Sequence, residues 1–277
     1  MYSFLRFPNF RTKALTLSYD DGVIYDEKLI EIMNRYGLKG TFNLNSGFYG
    51  EGRHLTREQS VALYKNSGHE VAVHGVKHLS LGEVDKSTAA WDVLADRKDH
   101  EQTYETTVRG MAYANGSYND EVVEVLKTCG IVYSRTVIST EKFDIPTDWL
   151  RLPATCHHNN PRLMELAEQF LDPTPARHYW YEKPRLFYLW GHSYEFNDRN
   201  NWEVIEDFAK KVGNRDDVWY ATNIEIYDYV KAYESLIFSV DLKRIKNPSS
   251  QDLWLCVRGQ NVLVKAGEEI ALCRCQE

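Results

Sequence analysis

The 277-residue sequence predicts an α/β protein, with parallel strands covered by helices. Three observations carry this. Short runs of strand-forming residues alternate with segments whose apolar residues recur at helical spacing. Each candidate chemical group follows directly on a strand-like run, where barrels and open α/β folds place their sites. The composition, 43% hydrophobic and 26% charged, is that of a globular chain.

The elements follow in order. Residues 14–19 form a strand that runs into Asp20-Asp21-Gly22. Residues 28–36 have helical spacing at Leu29, Ile32 and Met33, with Gly37 as a C-cap. Residues 40–45 form a second strand. Thr56 is placed to cap a helix over 57–66, closed by Gly68. Residues 69–73 form a third strand leading into His74-Gly75-Val76-Lys77-His78. A long helix spans 87–104, a strand 108–113, a helix 120–128 and a strand 131–135. Helix 162–171 precedes strand 186–190, which ends at Gly191-His192. Helix 202–212, strand 218–220 and helix 225–235 complete the alternation.

Near Phe238 the pattern changes to strand and turn. Strands are expected at 253–257, 262–265 and 270–273, with 258–261 as a turn. The chain therefore divides into a main unit, residues 1–237, and a small β-rich C-terminal extension, residues 238–277, without a catalytic cluster.

The formal net charge of −7 and the lack of a basic tract argue against nucleic acid as a partner. Residues 1–11 contain no apolar signal core, and no run reaches the ~20 apolar residues of a membrane span. Five cysteines (Cys129, Cys156, Cys256, Cys273, Cys275) form no paired framework, so reduced thiols and a cytoplasmic setting are expected. Cys273-x-Cys275 lacks the two-residue gap of a zinc ribbon. Eighteen Tyr and seven Trp serve core packing or a groove for flat ligands such as sugar rings.

Asp20 and Asp21 would point to opposite faces of a regular strand, but Gly22 allows a turn that brings both to one pocket. His74 and His78 share a face if residues 75–78 begin a helical turn. Two imidazoles and a carboxylate can hold a divalent ion with open positions, leaving the second carboxylate as a general base. His192, at the end of a buried strand, can donate a proton to a leaving group. Asp148 is a candidate carboxylate for the place beside His192, and Trp149 is the wall of an acyl pocket, a stacking surface for a sugar, or a loop Trp that packs on the core.

These pieces occur in the order of the NodB-homology polysaccharide deacetylases, carbohydrate esterase family 4. Ser18-Tyr19-Asp20-Asp21-Gly22 resembles the family's T-F-D-D-G, and His74-Gly75-Val76-Lys77-His78 resembles its H-[ST]-x-x-H, with Gly at the hydroxyl position. Asp148-Trp149 resembles its Asp-Trp motif. Leu189-Trp190-Gly191-His192 is similar to its Leu-x-His, with one residue inserted. The third motif, Arg-x-Pro-Tyr, departs: Ala112, Ala114 and Asn115 stand where the family has Arg, Pro and Tyr, and Arg109 and Arg151 are the alternatives for the missing arginine.

The resemblance covers roughly residues 12–235. It implies a distorted, incomplete (β/α)7 barrel and metal-assisted removal of acetyl groups from an N-acetylated sugar. By carry-over, one divalent ion sits on Asp21, His74 and His78. Zinc is favoured by ligand type, with cobalt or iron also accepted. Asp20 is the base, His192 the acid with Asp148 beside it, and the backbone N–H of Asn115 the oxyanion donor. Tyr113, Asn115 and Trp149 are the expected substrate contacts. Two other functions fit the residues: opening of a small cyclic amide or ureide on the same barrel, and carbohydrate binding without catalysis. The sugar, its linkage and the oligomeric state are not legible.

Overall fold

The computed structural model describes residues 2–173 and 182–272. Strand β1 (Leu5–Arg6) precedes a nine-stranded parallel sheet. Its members are β2 (Lys13–Asp21), β3 (Gly40–Leu44), β4 (Glu70–Val73), β5 (Gly110–Ala112), β6 (Tyr133–Ser139), β7 (Leu152–Ala154), β8 (Cys156–His157), β9 (Arg185–Gly191) and β10 (Val218–Tyr220). The order is β7-β6-β5-β4-β3-β2-β9-β8, with β10 beside the first half of β2.

Only Thr155 separates β7 from β8, so one stretch of chain pairs with β6 at one end of this order and with β9 at the other. Thr155 fastens that seam. Its N–H donates to Tyr188 O at 2.9 Å, and its hydroxyl accepts from Tyr188 N at 3.0 Å. Counting β7 and β8 as one stave, β2 to β9 make seven staves, the α/β barrel the sequence predicts.

Helices follow the strands: α1 (Asp26–Arg35), α2 (Arg57–Tyr64), α3 (Lys86–Tyr104), α4 (Asp120–Thr128), α5 (Leu163–Leu171), α6 (Ser193–Asp198), α7 (Glu203–Val212) and α8 (Asn223–Glu234). Thr56 and Thr222 each close a capping box, satisfying orphan N–H groups at the starts of α2 and α8. The short α6 has no counterpart in the sequence reading, and β6 runs four residues past its expected end at 135.

The staves alternate in character because the two faces of the sheet meet different surroundings. On β2, Leu15, Leu17 and Tyr19 pack among apolar residues of α1, α5 and α7. Thr16, Ser18 and Asp20 are equally buried but polar, and they find partners across the barrel interior. Thr16 bonds Asn223 at 3.0 Å, and Asn43 donates to Ser18 at 2.9 Å and to Asp20 at 2.8 Å.

After α8 come β11 (Ile237–Phe238), β12 (Arg244–Lys246), β13 (Leu253–Val257), β14 (Gln260–Val264) and β15 (Glu269–Ala271). β1 pairs antiparallel with β13, so the N-terminal strand lies on the C-terminal segment. Leu253, Leu255 and Val264 share one apolar cluster with Leu5, Phe7, Tyr229 and Tyr233. The expected strand end at Cys273, and Cys275, lie outside the described residues. Cys129, Cys156 and Cys256 are free thiols.

Candidate active site

Five of the residues singled out in the sequence converge at the C-terminal ends of β2, β4 and β9. Asp21 Oδ1 lies 3.6 Å from His74 Nε2 and 3.6 Å from His78 Nε2. Asp20 Oδ2 lies 3.9 Å from His74 Nε2 and 3.8 Å from His192 Nε2. His74 Nδ1 is 2.9 Å from Ala112 O, and a carbonyl can only accept, so Nδ1 carries the hydrogen and Nε2 offers its lone pair to the site.

The backbone is bent to make this cluster. Asp21 has φ 81° and His78 φ 51°, left-handed values that cost a non-glycine residue free energy and concentrate at functional sites. The helical turn that would put His74 and His78 on one face is not formed over residues 75–78. The two histidines meet instead through a loop with Gly75 at φ 85°, their rings edge to face at 4.8 Å. Two aspartates of α3 hold this loop. Asp96 accepts from the N–H groups of His74 and Gly75 at 3.0 Å each and from Ser46 N at 2.8 Å. Asp92 accepts from Lys77 N at 2.9 Å. A Cβ on Gly75 would stand 2.2 Å from Asp92 Oδ2, which accounts for glycine where a hydroxyl residue is expected.

Asp20 is fully buried and accepts from Asn43 and from the guanidinium of Arg135. Burial alone would raise its pKa, but Arg135, His74 and His192 outweigh that and bring it to about 2. Arg135 is buried in turn, its guanidinium 4.3 Å over the ring of Trp190. This is the arginine that the altered third motif seemed to lack. Neither alternative named from the sequence reaches Asp20: Arg109 pairs with Asp228 at 2.6 Å, and Arg151 with Asp120 and Asp148. A charged residue inside the buried phase of β6 was the available signal.

His192 is raised above the ordinary imidazole range. Burial works against this, but Glu195, Asp20 and Asp21 outweigh it. The carboxylate beside it is Glu195, with Oε1 2.8 Å from His192 Nδ1. Asp148, expected there, is half exposed and bonds Arg151 at 2.9 Å and Leu150 N at 3.2 Å, so the expected pairing is corrected to Glu195. His78 is lowered by burial and by His74.

The expected substrate contacts divide. Asn115 sits in the turn after β5 with φ 55°, exposed, its amide donating to Ser80 Oγ at 3.2 Å. Tyr113 is buried, donates to Leu150 O at 2.8 Å and stacks on Tyr118. Trp149 is buried edge-on against Tyr227 of α8. Both are committed to packing rather than presented to a ligand.

Asp21, His74 and His78 fit a divalent ion. Bonds of ~2.0–2.1 Å place neighbouring ligand atoms roughly 3.0–3.5 Å apart, close to the separations found. Among the described residues a second group, His157, His158 and Glu195, also places metal-ligating atoms close together.

Comparison with known proteins supports the same class. Residues 8–134 match the family model described as polysaccharide deacetylase, a stretch that includes Asp20, Asp21, His74, His78 and Asn115 and stops before Arg135 and His192. A candidate polysaccharide deacetylase of Bacillus subtilis, YxkH, is 22% identical over 119 residues, 43% of this chain and 42% of that protein. This match therefore spans less than half the length of the curated relative.

The fold is similar to that of a candidate polysaccharide deacetylase from Mycobacterium smegmatis, with TM-score 0.58 and 16% identity over 84% of this chain and 94% of that one. It is also similar to a mutant of the Bacillus subtilis peptidoglycan deacetylase PdaC, with TM-score 0.53 and 14% identity over 83% and 96%. The resemblance to the NodB-homology polysaccharide deacetylases, carbohydrate esterase family 4, is borne out in both sequence match and fold.

Proposed function

We propose that this protein is a metal-dependent hydrolase that removes acetyl groups from an N-acetylated sugar or glycan, releasing acetate. The observation that carries the reading is the set of three metal-ligating side chains, Asp21, His74 and His78, flanked by a carboxylate and an imidazole shifted in opposite directions. Two titratable groups whose surroundings push them apart are the mark of an assigned base and acid.

A divalent ion on Asp21, His74 and His78 would polarise the acetyl carbonyl and make water a better nucleophile. Asp20, kept anionic by Arg135 and oriented by Asn43, accepts the proton of the attacking water. The backbone N–H of Asn115, in the exposed turn after β5, is assigned to the developing oxyanion. His192, favoured in its protonated form, delivers a proton to the departing nitrogen. The carbonyl carbon gains oxygen and loses nitrogen, giving acetate and an amine. Asp and His donors suit zinc, and cobalt or iron as well.

The test is acetate release from a panel of N-acetylated glycans, with cyclic ureides alongside, with and without chelator. Acetate release that chelation abolishes is expected. The protein should carry about one ion per chain, and His78→Ala should lose most of it. Turnover of a cyclic ureide alone would overturn the substrate assignment. Equal ion content in His78→Ala would overturn the ligand set.

A further inference from the structure

We infer that Glu195 is a positioning residue for His192, and that it is locked in place by the two histidines at the end of β8, His157 and His158. The inference deepens the reading of His192 as the acid and rests on it.

Glu195 lies three residues past His192 on α6, at the centre of a ring of donors. Oε1 faces His192 Nδ1 at 2.8 Å and His157 Nε2 at 3.4 Å. Oε2 faces His158 Nε2 at 3.5 Å and Arg199 Nη2 at 3.3 Å, and accepts from the side-chain amide of Asn159. Burial would raise this carboxyl, but the surrounding imidazoles hold it well below the usual carboxylate range.

The hydrogen-bond directions fix the tautomers. An ionised carboxylate only accepts, so the hydrogen between Glu195 and His192 sits on His192 Nδ1. This leaves Nε2 to face Asp20 and the cleft. Asn159 N–H donates to His157 Nδ1 at 3.1 Å, so the hydrogen of neutral His157 sits on Nε2, aimed at Glu195. His158 is fully buried, its ring 4.1 Å from Phe196 and 5.8 Å from Tyr19. A Cβ on Gly191 would stand 2.1 Å from His158 Nδ1, so the glycine before His192 is what admits this ring.

His157, His158 and Glu195 also have metal-ligating spacing. The directions oppose that use. The lone pair needed on His157 Nε2 is occupied by a hydrogen, and Arg199 already brings a cation to Oε2. The cluster is a carboxylate that accepts from His192 and Asn159 and is faced by His157 and His158 at 3.4 and 3.5 Å.

The titratable groups around His192 are Glu195 and Tyr194 of α6, Asp20 and Asp21 of β2, His78 of the loop after β4, and His157 and His158 at the end of β8; the Tyr194 and His157 rings lie 5.1 and 6.3 Å away. Two measurements test the inference. In nitrogen-correlated NMR spectra of the intact protein, neutral His192 should carry its hydrogen on Nδ1 and His157 on Nε2. The opposite tautomer at His192 would overturn the inference whatever the protein hydrolyses.

Glu195→Gln should lose ~10–100-fold in kcat on an acetylated amine, the scale for removing a carboxylate that orients an imidazole. KM, bound ion and hydrolysis of nitrophenyl acetate should stay within about twofold, because an activated leaving group needs no proton. Full amide activity in Glu195→Gln would overturn the inference, as would equal loss on both substrates. So would a second equivalent of zinc bound by the wild type and lost in Glu195→Gln. If wild type hydrolyses neither substrate, the proposed function fails, while the NMR measurement still decides the inference.

Discussion

Arg135 shows how one side chain can complete a site that its motif leaves open. It enters from β6, lies over Trp190 and meets Asp20 from the side opposite Asn43. A guanidinium is planar and stays charged at any working pH, so it can stack and bond at once, which an ammonium cannot do. Arg135→Lys should therefore keep the fold and the bound ion yet lose ~10–100-fold in turnover, the scale for partners that orient a site residue. Kinetics on the lysine variant, with its ion content, check this; unchanged turnover would remove Arg135 from the base. At this scale the sequence was legible where chemistry is written in adjacent residues. Asp20, Asp21, His74 and His78 were found because each pair lies within five positions. Arg135 was not, because it acts across the barrel on a partner that only the fold supplies; Glu195, only three residues past His192, was missed because the short α6 that carries it was not anticipated and Asp148 was taken as the partner.

At the scale of elements, α3 acts as the backing of the site. Asp92, Asp96 and His100 recur every four residues, are buried on one helix face and meet the backbone of two catalytic-face loops. That stripe has the spacing of an apolar helix face but is polar, because the loop it covers has N–H groups that need partners. The loop's shape depends on Gly75, whose φ of 85° and contact with Asp92 exclude a side chain. Gly75→Ser would supply the hydroxyl residue of the motif that this segment resembles, yet here it should destabilise by about 1–3 kcal/mol, the cost of a strained backbone position, and weaken ion binding. Thermal unfolding together with a zinc titration measures both, and wild-type values for both would show that the loop has room to adjust. Helix and strand positions were largely read correctly because periodicity reports them. The conformation of residues 74–78 was not legible, because i, i+4 spacing fits a helical turn as well as a loop with left-handed residues at Gly75 and His78.

At the scale of the molecule, two carboxyls, Asp26 buried and Glu70 half-buried, are expected to make stability depend on pH. Glu70, at the start of β4, accepts from Tyr133, Thr41 and the Ile224 N–H, tying three parts of the barrel together. Burial raises it to about 7, and raises Asp26 to about 7 as well. A carboxyl raised in the folded state binds its proton more tightly there than when unfolded. Stability is therefore greatest below the unfolded pKa near 4 and falls as pH rises toward 7. The opposite holds for Asp20, lowered to about 2, whose contribution is lost only in strong acid. His69 and His158, lowered to about 4 by burial, act in the opposite sense below the ordinary imidazole range, so the test is the difference between two curves: in denaturant unfolding from pH 5 to 8, Glu70→Gln should remove roughly 1–3 kcal/mol of falling stability relative to wild type. An unchanged slope in Glu70→Gln would mean that Glu70 ionises in place without penalty.

The C-terminal strands belong to the same scale, and they bear on how the chain divides. The sequence suggested an appendage after residue 237, since the pattern there changes from strand-helix alternation to strand and turn. In the fold, β1 pairs with β13, and Ile245, Leu253, Leu255, Val257 and Val264 are buried with Leu5, Phe7, Tyr229 and Tyr233. Tyr229 donates to Arg6 O at 2.6 Å and accepts from Trp254 N at 3.1 Å, a link from α8 to both partners of that pairing. Each large apolar side chain fully buried contributes about 1.5–3 kcal/mol, so losing the five removed with these strands is comparable to the whole net stability of an ordinary domain. A chain ending at residue 238 should therefore be insoluble, or melt far below the intact protein, although every candidate catalytic residue is present. A truncated chain that melts with the intact protein and binds one ion would show instead that residues 1–237 fold alone and that the strands are an appendage after all.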